Sequence, residues 1–175
     1  MNLVGNYKDW ITPELLDILM RDDGDVTPVY QPDKWLGPDY DDARIELEQA
    51  GYPEQNLHFC QFTKDTECLK HLDIKMPIDI EGNYHWWIIK LKPGQMQPMH
   101  FDPHVKQVAN CLRYTMPLQD YRPGHVFVYE NVLLSDYKAG DMFLWPDPMC
   151  YHGVVNISYY TRLTLQISCY QSQES

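Results

Sequence analysis

The chain is 175 residues long, 44% hydrophobic and 13% aromatic, enough for one sizeable core and short for two domains. Its 14 basic residues stand against 25 acidic ones, a formal net charge of -11 with no basic run, so nucleic acid is not expected as a partner. Apolar stretches such as Trp86-Trp-Ile-Ile89 fall far below a membrane span, so no membrane partner is expected either.

Residues 1–82 read as a helical and loop region. Thr12-Pro13-Glu14 has the form of an N-cap, a first-turn proline and a dipole-matched acid, and predicts a helix through about Met20. A second helix is expected from Asp41 to Ala50, ended by Gly51, and a third from Lys64 to Leu72 with Thr63 as cap. Between the first two, Gly24 to Pro38 carries Pro28, Pro32 and Pro38 and predicts an irregular loop. Asn2 to Asp9 has no secretory leader, and the five cysteines show no CxxC spacing, so reduced thiols in a cytoplasm are expected.

Residues 83–170 break into eight candidate strands, at about 84–92, 95–102, 108–118, 125–130, 132–138, 141–146, 151–157 and 161–170, separated by Pro-Gly, Arg-Pro-Gly and Ala-Gly-Asp turns. Regular spacing of this kind points to an all-β sandwich or barrel in a single mainly β domain. The last strand alternates strictly. Arg162, Thr164, Gln166 and Ser168 share one face and Leu163, Leu165 and Ile167 the other, which suggests a polar front lining a cavity and an apolar back under the helices.

Chemistry concentrates in His100-Phe-Asp102, with His152 some fifty residues later and Arg162 ten beyond that. In a strand, residues i and i+2 point the same way, so His100 and Asp102 can reach one metal while Phe101 turns aside, with His152 arriving from another strand. Two imidazoles and one carboxylate on one face of Fe(II) leave three coordination positions open. The planar guanidinium of Arg162 can hold a carboxylate in bidentate fashion, and the hydroxyl of Thr164 can reach the same anion.

With those positions occupied, the segment from about 83 to 170 resembles the 2-oxoglutarate and Fe(II)-dependent dioxygenases, whose signature is His-x-Asp, a distal His, and an Arg about ten residues on followed by Ser or Thr. The resemblance implies a double-stranded β-helix, the jelly-roll or cupin-like core of about eight strands, with the N-terminal helices packed on one sheet. It also implies His100, Asp102 and His152 as metal ligands, and Fe(II), the cosubstrate 2-oxoglutarate and O2 as cofactors. Leu112-Arg-Tyr-Thr115 and Gly140-Asp-Met-Phe-Leu-Trp-Pro-Asp147 are similar to stretches of the aspartyl/asparaginyl β-hydroxylase branch. Arg113 matches there, Thr115 stands where that branch has His, and both join Arg162 and Thr164 as cosubstrate-binding candidates. A prolyl-hydroxylase-like relationship stays open.

The activity so implied is hydroxylation of a C–H bond in a protein side chain or amino acid, with release of succinate and CO2. The alternative is a non-catalytic cupin-like protein that binds a metal or ligand. The substrate is a small molecule or a protein side chain, and oligomeric state has no sequence signal. Trp86, Trp87 and Trp145 read as sheet packing, His58, His71, His85 and His125 as structural or exposed, and His104 as a rim residue. Asn156 shares the His152 face and is a candidate to orient a neighbouring group. Residues 1–82 and the loops near 103–107, 119–124 and 147–150 are expected to set specificity.

Overall fold

The computed structural model describes residues 1–28, 45–52, 58–80, 82–100, 102 and 111–170. The eight core strands are β4 (Asn83–Leu91), β5 (Met96–His100), β6 (Cys111–Pro117), β7 (His125–Tyr129), β8 (Val132–Leu133), β9 (Asp141–Leu144), β10 (His152–Asn156) and β11 (Arg162–Tyr170). Three more precede them: β1 (Asn2–Asn6), β2 (Asp25–Pro28) and β3 (His58–Phe62). They form a seven-stranded sheet, ordered β1-β9-β6-β11-β4-β3-β2, and a four-stranded sheet, ordered β5-β10-β7-β8. All pairings are antiparallel. From β4 onward the chain crosses between the sheets so that β4-β11-β6-β9 faces β5-β10-β7-β8, the winding of a double-stranded β-helix.

The alternation in β11 decides what each face meets. Leu163, Leu165 and Ile167 point outward and pack with Phe62, Ile88 and Met116 against Leu15, Ile18 and Leu19 of α1 (Pro13–Arg21). Burying three such helix side chains is worth about 1.5–3 kcal/mol each, which docks α1 on the outer face of the larger sheet. The helix opens as its sequence predicts, the Thr12 hydroxyl accepting from Leu15 N at 3.1 Å with Pro13 in the first turn. It closes on a cation from the sheet. The buried Lys90 ammonium donates to the carbonyls of Met20 (3.1 Å) and Asp22 (2.6 Å) and pairs with Asp23 at 3.0 Å.

The N-terminal region departs from a helical and loop reading. It supplies β1, β2 and β3, which widen the larger sheet on both sides. Each is four or five residues long and draws its stability from the strand it pairs with. Asp25–Pro28 is therefore a strand against β3 instead of loop, while 29–38 lies outside the described residues. The expected helix over Lys64–Leu72 is reduced to a 3-10 turn at Glu67–Leu69. The Thr66 hydroxyl accepts from Thr63 N at 2.8 Å and donates to Asp25 at 3.1 Å, folding the segment back on β2 before a helical turn can propagate. In the Asp41–Ala50 segment, 45–49 is helical and 41–44 lies outside the described residues. No helix among the described residues is long and apolar enough to cross a membrane.

Candidate metal centre

His100 ends β5 and His152 begins β10, and the two are directly opposed across that antiparallel pair. Their rings lie 4.2 Å apart between centroids. Asp102, two residues past His100, completes a group whose ligand atoms all fall within 4.8 Å of one another. Its Oδ1 is 3.6 Å from His100 Nε2 and its Oδ2 3.6 Å from His152 Nε2.

The tautomers follow from the backbone. His100 Nδ1 faces the carbonyl of Pro98 at 2.7 Å and His152 Nδ1 that of Cys150 at 3.1 Å, so each Nδ1 carries the proton and donates. Both Nε2 lone pairs then face the centre, the arrangement in which a backbone acceptor fixes the orientation of a metal-binding imidazole. Burial holds the His152 pKa down to about 3, helped by His100 beside it and opposed by Asp102. Burial likewise lowers that of His100. Both rings are neutral at pH 7, so a metal need displace no proton. The Gln97 amide sits 3.2 Å from His100 Nε2, a contact that a metal ion would replace. The donor set and its protonation fit a divalent transition metal.

Arg113, on β6, is 2% exposed and its Nη1 contacts Oδ2 of Asp102. Its guanidinium lies over the Trp145 ring at 4.2 Å, and Trp145 meets His152 edge-on at 4.7 Å. Trp145 thus packs against the site residues as well as the core, and Trp87 lines the cavity beside the triad. Their strand setting had suggested packing alone, because an aromatic in a strand carries no sign of which sheet face it occupies.

The cavity beside the triad holds about 100 Å³ and is also bounded by Phe127, Arg162 and Gln166. That is roughly three times the ~30 Å³ share of one liquid water, room for a small ligand. Arg162 is 4% exposed and interacts with the Tyr137 hydroxyl; its Nε has no partner, and among the described residues no carboxylate is paired with it. Burial lowers its pKa, yet a guanidinium stays protonated, so among the described residues the site contains an uncompensated cation. On the same face, the buried Thr164 Oγ1 and Gln166 Oε1 also lack hydrogen-bond partners among the described residues. Thr115 is buried opposite Gln166 in the β6–β11 pair.

Asn156 braces the turn that follows β10. Its Nδ2 donates to the carbonyls of Leu91 (2.8 Å) and Tyr160 (2.7 Å), and its Oδ1 accepts from the Ser158 hydroxyl at 2.7 Å, which fixes the turn leading into Arg162. His125 is buried with Nε2 3.3 Å from the Tyr160 carbonyl, part of the same support. His104 and loop 103–107 lie outside the described residues.

No family model matches the chain, and no curated protein matches it. Solved structures do. KdgF from Halomonas sp. is 11% identical, with 66% of this chain and 82% of that one covered and a TM-score of 0.41. An RmlC-like cupin from Shewanella frigidimarina is 14% identical over 52% of this chain and 69% of that one, TM-score 0.36. The cupin domain of Schizosaccharomyces pombe Cnp3 is 13% identical over 54% of this chain and 57% of that domain, TM-score 0.39. The architecture of this chain is defined by its own strand order.

Proposed function

We propose that the chain is an Fe(II)/2-oxoglutarate-dependent dioxygenase that hydroxylates a C–H bond of a protein side chain or amino acid, converting substrate, 2-oxoglutarate and O2 to hydroxylated substrate, succinate and CO2. One observation carries this reading. Arg162 is a buried cation that has no carboxylate partner among the described residues, and it lies in the same small cavity as a two-histidine, one-carboxylate group. An uncompensated buried charge is costly, and a dicarboxylate spanning the cavity would neutralise it.

The chain's own residues then divide the work. His100 and His152 offer neutral Nε2 atoms and Asp102 a carboxylate to iron. Arg162 holds the far carboxylate of the cosubstrate, with Thr164 and the Tyr137 hydroxyl beside it, by charge-assisted hydrogen bonds. Phe59, Phe127 and Val154 line the cavity with apolar surface and exclude bulk water. Iron and 2-oxoglutarate, when bound, supply the activation of O2. A larger cleft of about 550 Å³, lined by Gln61, Thr63, Tyr84 and Trp86, shares Trp87 with the metal cavity and is the approach we assign to the substrate.

The test is an anaerobic visible titration of the metal-free protein with Fe(II) and then 2-oxoglutarate. The expected result is the charge-transfer band of a chelated keto acid, decaying with succinate formation when O2 is admitted. Iron binding without the band would leave a metal- or ligand-binding jelly-roll and overturn the dioxygenase reading.

A further inference from the structure

Arg113 does more than wall the cavity. Its guanidinium stacks on the buried Trp145 at 4.2 Å, with the half-buried Trp87 ring at 5.8 Å, so aromatic surface braces it alongside the acid it meets. The same backbone is tied in, Trp145 N donating to Arg113 O at 2.9 Å. From there Nη1 reaches Oδ2 of Asp102. A carboxylate oxygen engaged by a guanidinium has one fewer lone pair to offer a metal, and its partner's positive charge opposes a metal's approach from that side.

We propose that Arg113 is a positioning residue that limits Asp102 to a single metal-bound oxygen, Oδ1, and thereby keeps three coordination positions open. The count decides why this matters. Two imidazoles and one carboxylate oxygen leave three of six positions, which accommodate a chelating keto acid and one diatomic ligand. A carboxylate bound through both oxygens leaves two, which the chelate alone would fill. This inference rests on the dioxygenase reading above and adds to it the residue that protects the last position. It assigns Arg113 to Asp102 in place of direct contact with the cosubstrate.

The experiment uses Arg113→Met, of similar length and without a donor, beside Arg113→Lys, which keeps a cation. Each is loaded anaerobically with Fe(II) and 2-oxoglutarate and titrated with nitric oxide, whose iron adduct reports the third position by electron paramagnetic resonance. Arg113→Met is expected to keep one iron and the keto-acid band but to bind nitric oxide at least tenfold more weakly, while Arg113→Lys behaves as the wild type. Unchanged nitric oxide affinity in Arg113→Met, or loss of iron from a folded Arg113→Met, would overturn the proposal.

A second measurement needs no variant. In the wild-type protein carrying Zn(II) and carbon-13-labelled aspartate, the splitting between the two carboxylate stretching bands in difference infrared spectra is wide for one bound oxygen and narrow for two. A narrow splitting overturns the proposal even if Arg113→Met fails to fold. Wild-type protein that forms no keto-acid complex defeats the dioxygenase reading itself, whereas a nitric oxide adduct that survives Arg113→Met defeats only the role of Arg113.

Discussion

Replacing Arg162 by methionine should improve the fold and ruin the site. The guanidinium is buried and, among the described residues, lacks a carboxylate partner. Exchanging buried charges for apolar side chains of similar volume commonly stabilises by about 1–4 kcal/mol. The buried Tyr137 hydroxyl loses its contact, which returns about 1 kcal/mol. A net gain of up to about 3 kcal/mol corresponds to a rise in Tm of up to about 12 °C for a domain of this size. On the ligand side, two charge-assisted hydrogen bonds to a carboxylate, each worth about 1.5–3 kcal/mol, are lost. At about 1.4 kcal/mol per tenfold, the requirement for 2-oxoglutarate rises by about two orders of magnitude or more. The assay pairs thermal melts of the metal-free proteins with anaerobic 2-oxoglutarate titrations of the iron-loaded ones. A variant that melts lower and binds 2-oxoglutarate as before would show Arg162 to be an ordinary structural residue.

Other perturbations probe the centre and its frame. His152→Ala should abolish stoichiometric Fe(II) binding under anaerobic conditions, and iron retained at one per chain would remove His152 from the ligand set. His125 is held neutral chiefly by burial, its pKa below 6.5, so the unfolded state takes up a proton that the folded state refuses. The resulting stability is full above pH ~6.5 and is lost as pH falls, by up to about 1.4 kcal/mol per pH unit. His125→Gln should flatten that acid limb in denaturant titrations at pH 7.5 and 5.5, and an unchanged limb would contradict the assignment. Gly140→Ala forces a side chain onto φ +85 and into Lys8 of the neighbouring segment, its Cβ 2.6 Å from Lys8 Cα. A loss of about 2 kcal/mol or more is expected in chemical denaturation, since strained backbone positions cost about 1–3 kcal/mol before any clash.

The core was legible because its strands are long enough to show their own pattern. β11 alternates over nine residues, and β4, β6 and β10 are bounded by turn residues, so each fell close to its sequence boundaries. The proximity of His100, Asp102 and His152 was legible in their spacing, although β5 ends at His100 and Asp102 lies beyond it instead of in the same strand. What escaped depends on partners. Asn2–Asn6 contains two asparagines and a glycine, and Asp25–Pro28 ends in proline; neither sequence favours a strand until β9 or β3 supplies the other half of the ladder. The contact of Arg113 with Asp102 joins residues eleven apart through no local pattern, and only the closed sheets bring Trp145 onto both Arg113 and His152.

The position of β11 has a consequence for biogenesis. It follows every other described strand in the chain, yet it lies at the middle of the larger sheet, zipped to β4 over nine residues and to β6 over seven. While the protein is being synthesised, β4 and β6 have no common neighbour, and their inner edges stay open until β11 threads between them. Such exposed edges are templates for association between chains, so growing polypeptides stay vulnerable until β11 has emerged. A ribosome stalled before residue 162 would hold a split sheet. The strand that seals it also brings Arg162, so a chain cannot close its sheet without acquiring the anion-binding arginine in the same event.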